Sequence, residues 1–217
     1  MTSFDDPEHK IAEFLLQIKA VKLQPENPFT WASGWKSPIY CDNRKTLSYP
    51  NIRIYIRQHF VETINQHFAM PDVIAGVATG GIAQGALVAQ DLGLPFIYVR
   101  SEAKKHGMTN MIEGDVESGQ NVVVIEDLIS TGGSSLKAVE ALRERGCTVK
   151  GMAAIFTYGF ENAEQNFKNA KCNLKTLTNY DTLINVALNK GFISEKDVES
   201  LKQWRLNPAG WGNNLVK

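Results

Sequence analysis

The sequence predicts an α/β fold, a parallel sheet flanked by helices with a small N-terminal antiparallel appendage, and three observations predict the sheet. Apolar runs at 73–77, 96–99, 122–125 and 149–157 have the length and β-branched content of buried strands. Helical apolar spacing lies between several of them, and such alternation argues for parallel strands joined by right-handed crossovers. Two of the runs lead into glycine-rich turns that open helices, Ala78-Thr79-Gly80-Gly81 and Ser130-Thr131-Gly132-Gly133-Ser134.

Asp5-Asp6-Pro7 puts acids at a cap and proline in a first turn, which marks a helix start. Ile11, Phe14, Leu15, Ile18 and Val21 then fall on one helical face, expected to pack on the core. Residues 27–44 are too rich in Pro, Gly and Ser for a helix; they read as short antiparallel strands joined by turns, an appendage to the main sheet. Ile52, Ile56, Phe60 and Ile64 space a helix over 51–68, with Pro71 ending it. A helix is expected at 82–92, a basic polar loop after Arg100, and a turn at 117–120. The strand at 122–125 is expected to stop at Glu126 and Asp127, with a helix over 135–145 capped by Gly146. Beyond the strand at 149–157, a helix at 160–170, a short edge strand at 173–177 and a helix at 181–189 follow. Ser194-Glu195-Lys196-Asp197 resembles a capping box for a helix reaching Trp204, and 207–217 reads as irregular.

At 217 residues the chain fits one domain, about 1–48 forming the N-terminal helix and appendage and about 49–217 the core and C-terminal helices. Lys and Arg number 23 and Asp and Glu 23, and no basic helix is present, so nothing points to nucleic acid or an anionic membrane surface. Cys41, Cys147 and Cys172 are odd in number and form no CxxC, which fits a reduced, cytoplasmic protein. His9, His59, His67 and His106 lack zinc-site spacing. The N-terminus shows no apolar signal segment, no run reaches membrane-span length, and no Walker loop occurs.

The stretch 121–135, NVVVIEDLISTGGSS, carries the chemistry. Amides at a helix start lack intrahelical partners and the helix dipole favours an anion there. Glycines let that backbone curl closely around a phosphate, and Ser130, Thr131 and Ser134 add hydroxyl donors. Two acids would repel the phosphate, so Glu126 and Asp127 are expected to take the vicinal hydroxyls of a ribose. The second glycine turn, at Thr79-Gly80, is a further anion site by the same physics. Arg100, Lys104, Lys105 and His106 follow directly after a strand of the same sheet and suit a mobile anion-binding lid.

Four apolar residues, two acids, two apolar residues and Ser-Thr-Gly-Gly-Ser closely resemble the phosphoribosyl diphosphate signature of the type I phosphoribosyltransferases. Phe29-Thr30, Ser33-Gly34 and Ser37-Pro38-x-Tyr40 resemble the hood that covers the pyrimidine in orotate phosphoribosyltransferases, and Arg100-x-x-x-Lys104-x-His106-Gly107 resembles that family's catalytic loop. The resemblance implies transfer of a phosphoribosyl group to N1 of orotate in pyrimidine synthesis, with Mg²⁺ on the donor and a homodimer sharing its sites. It implies catalytic roles for Lys104, Arg100, His106 and Asp127, and donor contacts for these with Glu126, Leu128, Ile129, Ser130, Thr131, Gly132, Gly133, Ser134, Thr79 and Gly80. It places orotate on Ser130, Tyr40, Ser33 and Gly34, with no metal held by the protein directly.

The chain departs from the family in three places. Thr79-Gly80 stands where many members have an aromatic-lysine pair, and Ser101 where many have a second lysine. Tyr158-Gly159-Phe160 replaces an arginine that meets the substrate carboxylate in some members; Ser130, hood amides at 33–37 or Arg44 are then the candidates to hold it. Two other activities would keep the phosphate loop: transfer to another base, and non-catalytic sensing of phosphoribosyl diphosphate.

Overall fold

In the computed structural model, residues 6–31, 34–68, 70–100 and 111–211 are described. Helix α1 (Pro7–Gln17) starts where its proline and acids place it, and Asp6 accepts from the Glu8 amide. It buries Ile11, Ala12, Leu15 and Leu16. The apolar face does not continue as helix to Val21: Ile18 is the C-cap, Lys19 adopts φ 55, and Val21–Leu23 is strand β1. The hood comprises β2 (Phe29–Thr30) paired antiparallel with β3 (Lys36–Ser37), and β4 (Ile39–Cys41) paired antiparallel with β1. It is two ribbons rather than one, because Pro38 has no amide to continue a ladder and the Ser37 hydroxyl closes on Ile39.

A 3-10 turn over Asn43–Ser48, which no periodicity signals, leads to α2 (Pro50–His67). Ile52, Ile56, Phe60 and Ile64 are its buried stripe, and the helix ends at His67, before Pro71. Then follow β5 (Val73–Val77), α3 (Gly80–Leu92), β6 (Phe96–Val99) and a short β7 (Ile112–Glu113). After these come β8 (Asn121–Ile129), α4 (Gly133–Glu144), β9 (Thr148–Thr157), α5 (Glu161–Asn169), β10 (Leu174–Asn179), α6 (Tyr180–Asn189) and α7 (Glu195–Leu206). Both α3 and α4 begin two residues earlier than expected, so glycines are themselves the first helical residues. The capping box forms as read, with the Ser194 amide donating to Asp197.

The main sheet has the order β10-β9-β8-β5-β6-β7. Every pair is parallel except β6–β7. Helix α2 packs against both α1 and α3 over part of the sheet, while α4 lies on β8 and β9 and carries α5 beside it. All five residues of β5 are buried, as expected of a strand covered on both faces. α1 belongs to this core rather than to the hood: it lies on β10 and α6, and Glu8 accepts from Asn179 and Thr182.

Candidate active site

β5 pairs with β8 only as far as Gly76↔Ile125, whereas β8 continues beside β9 through Glu126↔Ala154, Leu128↔Phe156 and Ile129↔Thr157. The strand therefore runs through the two acids instead of stopping at them. Pairing with β9 holds one flank of this extension, and the other flank opens where β5 has ended. The 78–80 turn, whose Ala78–Thr79 peptide bond is cis, fills that opening. Its approach is close: a Cβ on Gly80 would stand 2.2 Å from Asp127 Cγ, so only glycine leaves the carboxyl where it is.

A cavity of about 310 Å³ lies between this turn and β8–α4, at the carboxyl ends of the strands. Thr79, Gly80, Glu126, Asp127, Leu128, Ser130, Thr131, Gly132, Gly133 and Ser134, all anticipated, line it. The first intrahelical bond of α4 runs from the Leu136 amide to Gly132 O, 2.9 Å, which leaves the amides of Gly133, Ser134 and Ser135 without helical partners. With the start of α3, two helix N-termini converge on one cavity that, among the described residues, no cationic side chain lines. That end can take an anion through backbone amides. α5 backs the loop: Asn166 donates to Thr131 O at 3.0 Å, and Gly132, at φ 79, lies so near the Phe167 ring that a Cβ would meet it at 2.7 Å.

The acids form the opposite wall. Glu126 is 5% exposed; it accepts from the Ser135 hydroxyl at 2.9 Å and the Asp127 amide at 3.0 Å. Burial, then the neighbouring Asp127 charge, pushes the Glu126 carboxyl well above the usual range. Burial raises Asp127 as well, opposed by its hydrogen bonds and by the Arg44 charge. The buried Asn43 side chain, from the 3-10 turn, donates to Asp127 O at 2.6 Å, and the Cys41 thiol donates to Asn43 Oδ1 at 3.3 Å. The turn thus ties the hood to the acidic strand end.

A second cavity of about 410 Å³ adjoins the first and is lined by Thr30, Trp31, Tyr40, Cys41, Leu128, Ser130 and Tyr158. Leu128 and Ser130 line both. Its walls are flat and apolar, with hydroxyls at the edges, which suits a small heterocycle. Trp31 is anchored by its indole N–H on Ile39 O at 3.1 Å, and the rings of Trp31 and Tyr158 both pack on Trp204 of α7.

Other anticipated residues fall outside these walls. Arg100 directly follows β6; its amide donates to Met111 O at 2.8 Å and its guanidinium meets Glu113 at 3.5 Å, so it stands at the base of the basic loop. Gly34 closes the β2–β3 turn by donating to Trp31 O and lines neither cavity, and the Ile129 side chain is fully buried. Lys104, His106 and Ser33 lie outside the described residues. Sequence reasoning missed Asn43, Cys41 and Trp204 as neighbours of the site. The aromatics flanking Ser33-Gly34 were a signal for Trp31; none existed for Asn43, whose partner is 84 residues away.

The Phosphoribosyl transferase domain family matches residues 46–187 of the chain. The orotate phosphoribosyltransferase of Bacteroides fragilis is 61% identical over 204 residues, covering 94% of this chain and 96% of that protein. That of Listeria monocytogenes is 58% identical over 205 residues, covering 94% and 98%. Among solved structures, the orotate phosphoribosyltransferase of Aeropyrum pernix superimposes with a TM-score of 0.74 at 30% identity, covering 85% of this chain and 99% of that one.

Proposed function

The chain belongs to the orotate phosphoribosyltransferases, and we propose that its two adjoining cavities hold the two substrates of that reaction. Phosphoribosyl diphosphate takes the cavity between the 78–80 turn and 126–135, and orotate the one beneath the hood. The observation that carries this reading is the shared wall: Leu128 and Ser130 line both cavities, so a ribose in one can meet a ring nitrogen in the other.

The amides and hydroxyls of 130–134 hold the 5-phosphate, and Glu126 and Asp127 accept from the ribose hydroxyls. As the C1–O bond to pyrophosphate breaks, the C1–N1 bond to orotate forms and the N1 proton passes to the departing pyrophosphate. Positive charge grows on the ring beside the two acids, and negative charge grows on the departing pyrophosphate, which faces the Thr79–Gly80 amides and Arg100, Lys104 and His106. Closure of that loop excludes water from the donor. The product, orotidine 5′-monophosphate, belongs to the synthesis of UMP.

Mg²⁺ fits this donor set as an ion carried with the substrate. The ion would sit on the donor's own pyrophosphate and hydroxyls, and Glu126 and Asp127, which burial makes receptive to positive charge, would lie beside the ribose that carries it. Among the described residues no group of three or more His, Cys, Asp or Glu is arranged to hold a metal. When bound, the ion neutralises charge on the pyrophosphate. A homodimer in which the 100–107 loop reaches the partner's site follows from the family resemblance. The cytoplasm fits the three free thiols, two of them buried, and no described helix is long and apolar enough to cross a membrane.

Incubation with orotate, phosphoribosyl diphosphate and Mg²⁺ should consume orotate with equimolar pyrophosphate release, while uracil and purine bases are left unused. Consumption of another base in its place would overturn the assignment of the hood cavity.

A further inference from the structure

Orotate is an anion, yet among the described residues no cationic side chain lines the cavity assigned to it. The hydroxyls of Thr30 and Ser130 can donate to a carboxylate there, but beside Trp31, Leu128 and Tyr158 its charge leaves water unbalanced unless a cation is within reach. From the Lys36 ammonium, 2.9 Å from the hydroxyl of the lining residue Thr30, we infer that Lys36 is the counter-ion that selects the carboxylated pyrimidine.

The backbone builds this placement. Thr30 and Lys36 are directly opposed in the β2–β3 ribbon, so their side chains share a face. The ribbon is closed by the Trp31 amide on Trp35 O at 2.9 Å and the Gly34 amide on Trp31 O at 2.8 Å. Trp31, pinned on Ile39, continues the ribbon into the cavity wall. Lys36 is thus carried on the same rigid piece that supplies one face of the pocket.

Its charge is also available. An ammonium has three donors, and Lys36 spends one on a neutral hydroxyl. Among the described residues it has no carboxylate partner. Arg44, a second cation near the hood, differs: its guanidinium is paired with Asp42 at 2.7 Å, and its field falls on Asp127, on the ribose side. Lys22 lies opposite Tyr40 in the β1–β4 ribbon but lines a separate groove with Leu16 and Phe192. Reach is no obstacle. The flexible four-carbon stem lets the ammonium swing from the Thr30 hydroxyl toward the cavity that Thr30 lines.

This inference rests on the assignment of orotate to the hood cavity, and the test separates the two. Lys36→Gln and Arg44→Gln are compared with the unsubstituted enzyme for the KM of orotate, the KM of phosphoribosyl diphosphate, and inhibition by orotidine 5′-monophosphate and by UMP, which lacks the carboxylate. Lys36→Gln should raise the orotate KM about 10- to 100-fold, the loss expected for a hydrogen bond to a charged group. It should weaken orotidine 5′-monophosphate to a similar extent, leave UMP and the donor KM unchanged, and be largely rescued by Lys36→Arg. An unchanged orotate KM overturns the inference, as does an effect confined to Arg44→Gln. So does equal weakening of both nucleotides, which would make the Thr30–Lys36 pair a purely structural link. An unsubstituted enzyme that does not turn over orotate overturns the cavity assignment before any variant is compared.

Discussion

Glu126 sits where a carboxylate is disfavoured: 5% exposed, beside a second acid, with two hydrogen-bond donors to hold it. Burial and the Asp127 charge raise its folded pKa above its unfolded value. The consequence for stability has a definite sign. Below the unfolded carboxylate range Glu126 is neutral in both states and costs nothing; as pH rises past that range the unfolded chain ionises first, and folding is penalised. Glu126→Gln keeps the shape and removes the charge, so at pH 8 the variant should melt about 3 °C higher, for about 1 kcal/mol in a chain of this size. The difference should fade toward about pH 3, below the unfolded glutamate range of about 4.3, where Glu126 is neutral in both states. The same variant should use phosphoribosyl diphosphate poorly, because a ribose hydroxyl loses its anionic acceptor. A variant that melts lower at pH 8 would show that the ionised acid supports the fold. The adjacency of the two acids was plain in the sequence; their burial was not, since Ser135 and the packing that desolvate them lie across a turn.

At the level of elements, the site is a crossing of β8 with the β5–α3 turn. Gly80 lets them cross, and the cost of a Cβ there is local. The clash falls on the Asp127 carboxyl, at 2.2 to 2.3 Å, rather than on backbone. That carboxyl can swing aside, so Gly80→Ala should fold, with a loss of about 1–2 kcal/mol typical of overpacking. The swing would take Asp127 off the ribose hydroxyls and raise the donor KM about tenfold, the factor for about 1.4 kcal/mol. An unchanged donor KM with the expected loss of stability would remove Asp127 from donor binding. The elements that were legible have local punctuation. The strands 73–77 and 96–99 match to the residue, each following a proline. Those that were not legible are made by pairing at a distance. β1 is three residues held by β4, β7 is two residues held by β6, and the last third of β8 exists because β9 runs beside it. Hydrophobic run length ends at Ile125; hydrogen bonding does not.

Across the whole molecule, the C-terminal helices support the base cavity. Read alone, α7 is an amphipathic helix with a capping box and no chemistry. In the fold its Trp204, fully buried, meets Trp31 of the hood at 5.6 Å, Tyr158 at 5.5 Å, Phe160 at 5.4 Å and Tyr180 at 5.6 Å between ring centroids. Trp31 and Tyr158 are two walls of the cavity beneath the hood, so Trp204 sets their positions from behind. The phosphate end rests on different supports, Asn166 and Phe167 of α5. The two ends of the site should therefore respond differently to one substitution. Trp204→Ala should cost about 3–5 kcal/mol, as for other buried aromatics, and lower the melting temperature by roughly 10 °C. Below that temperature the folded variant should bind phosphoribosyl diphosphate as the unsubstituted enzyme does, by calorimetry, while its orotate KM rises several-fold. Parallel loss of donor and orotate binding would mean that α7 stabilises the molecule without shaping the pocket. Selective loss of orotate would place a determinant of the acceptor site some 170 residues along the chain from the hood that covers it.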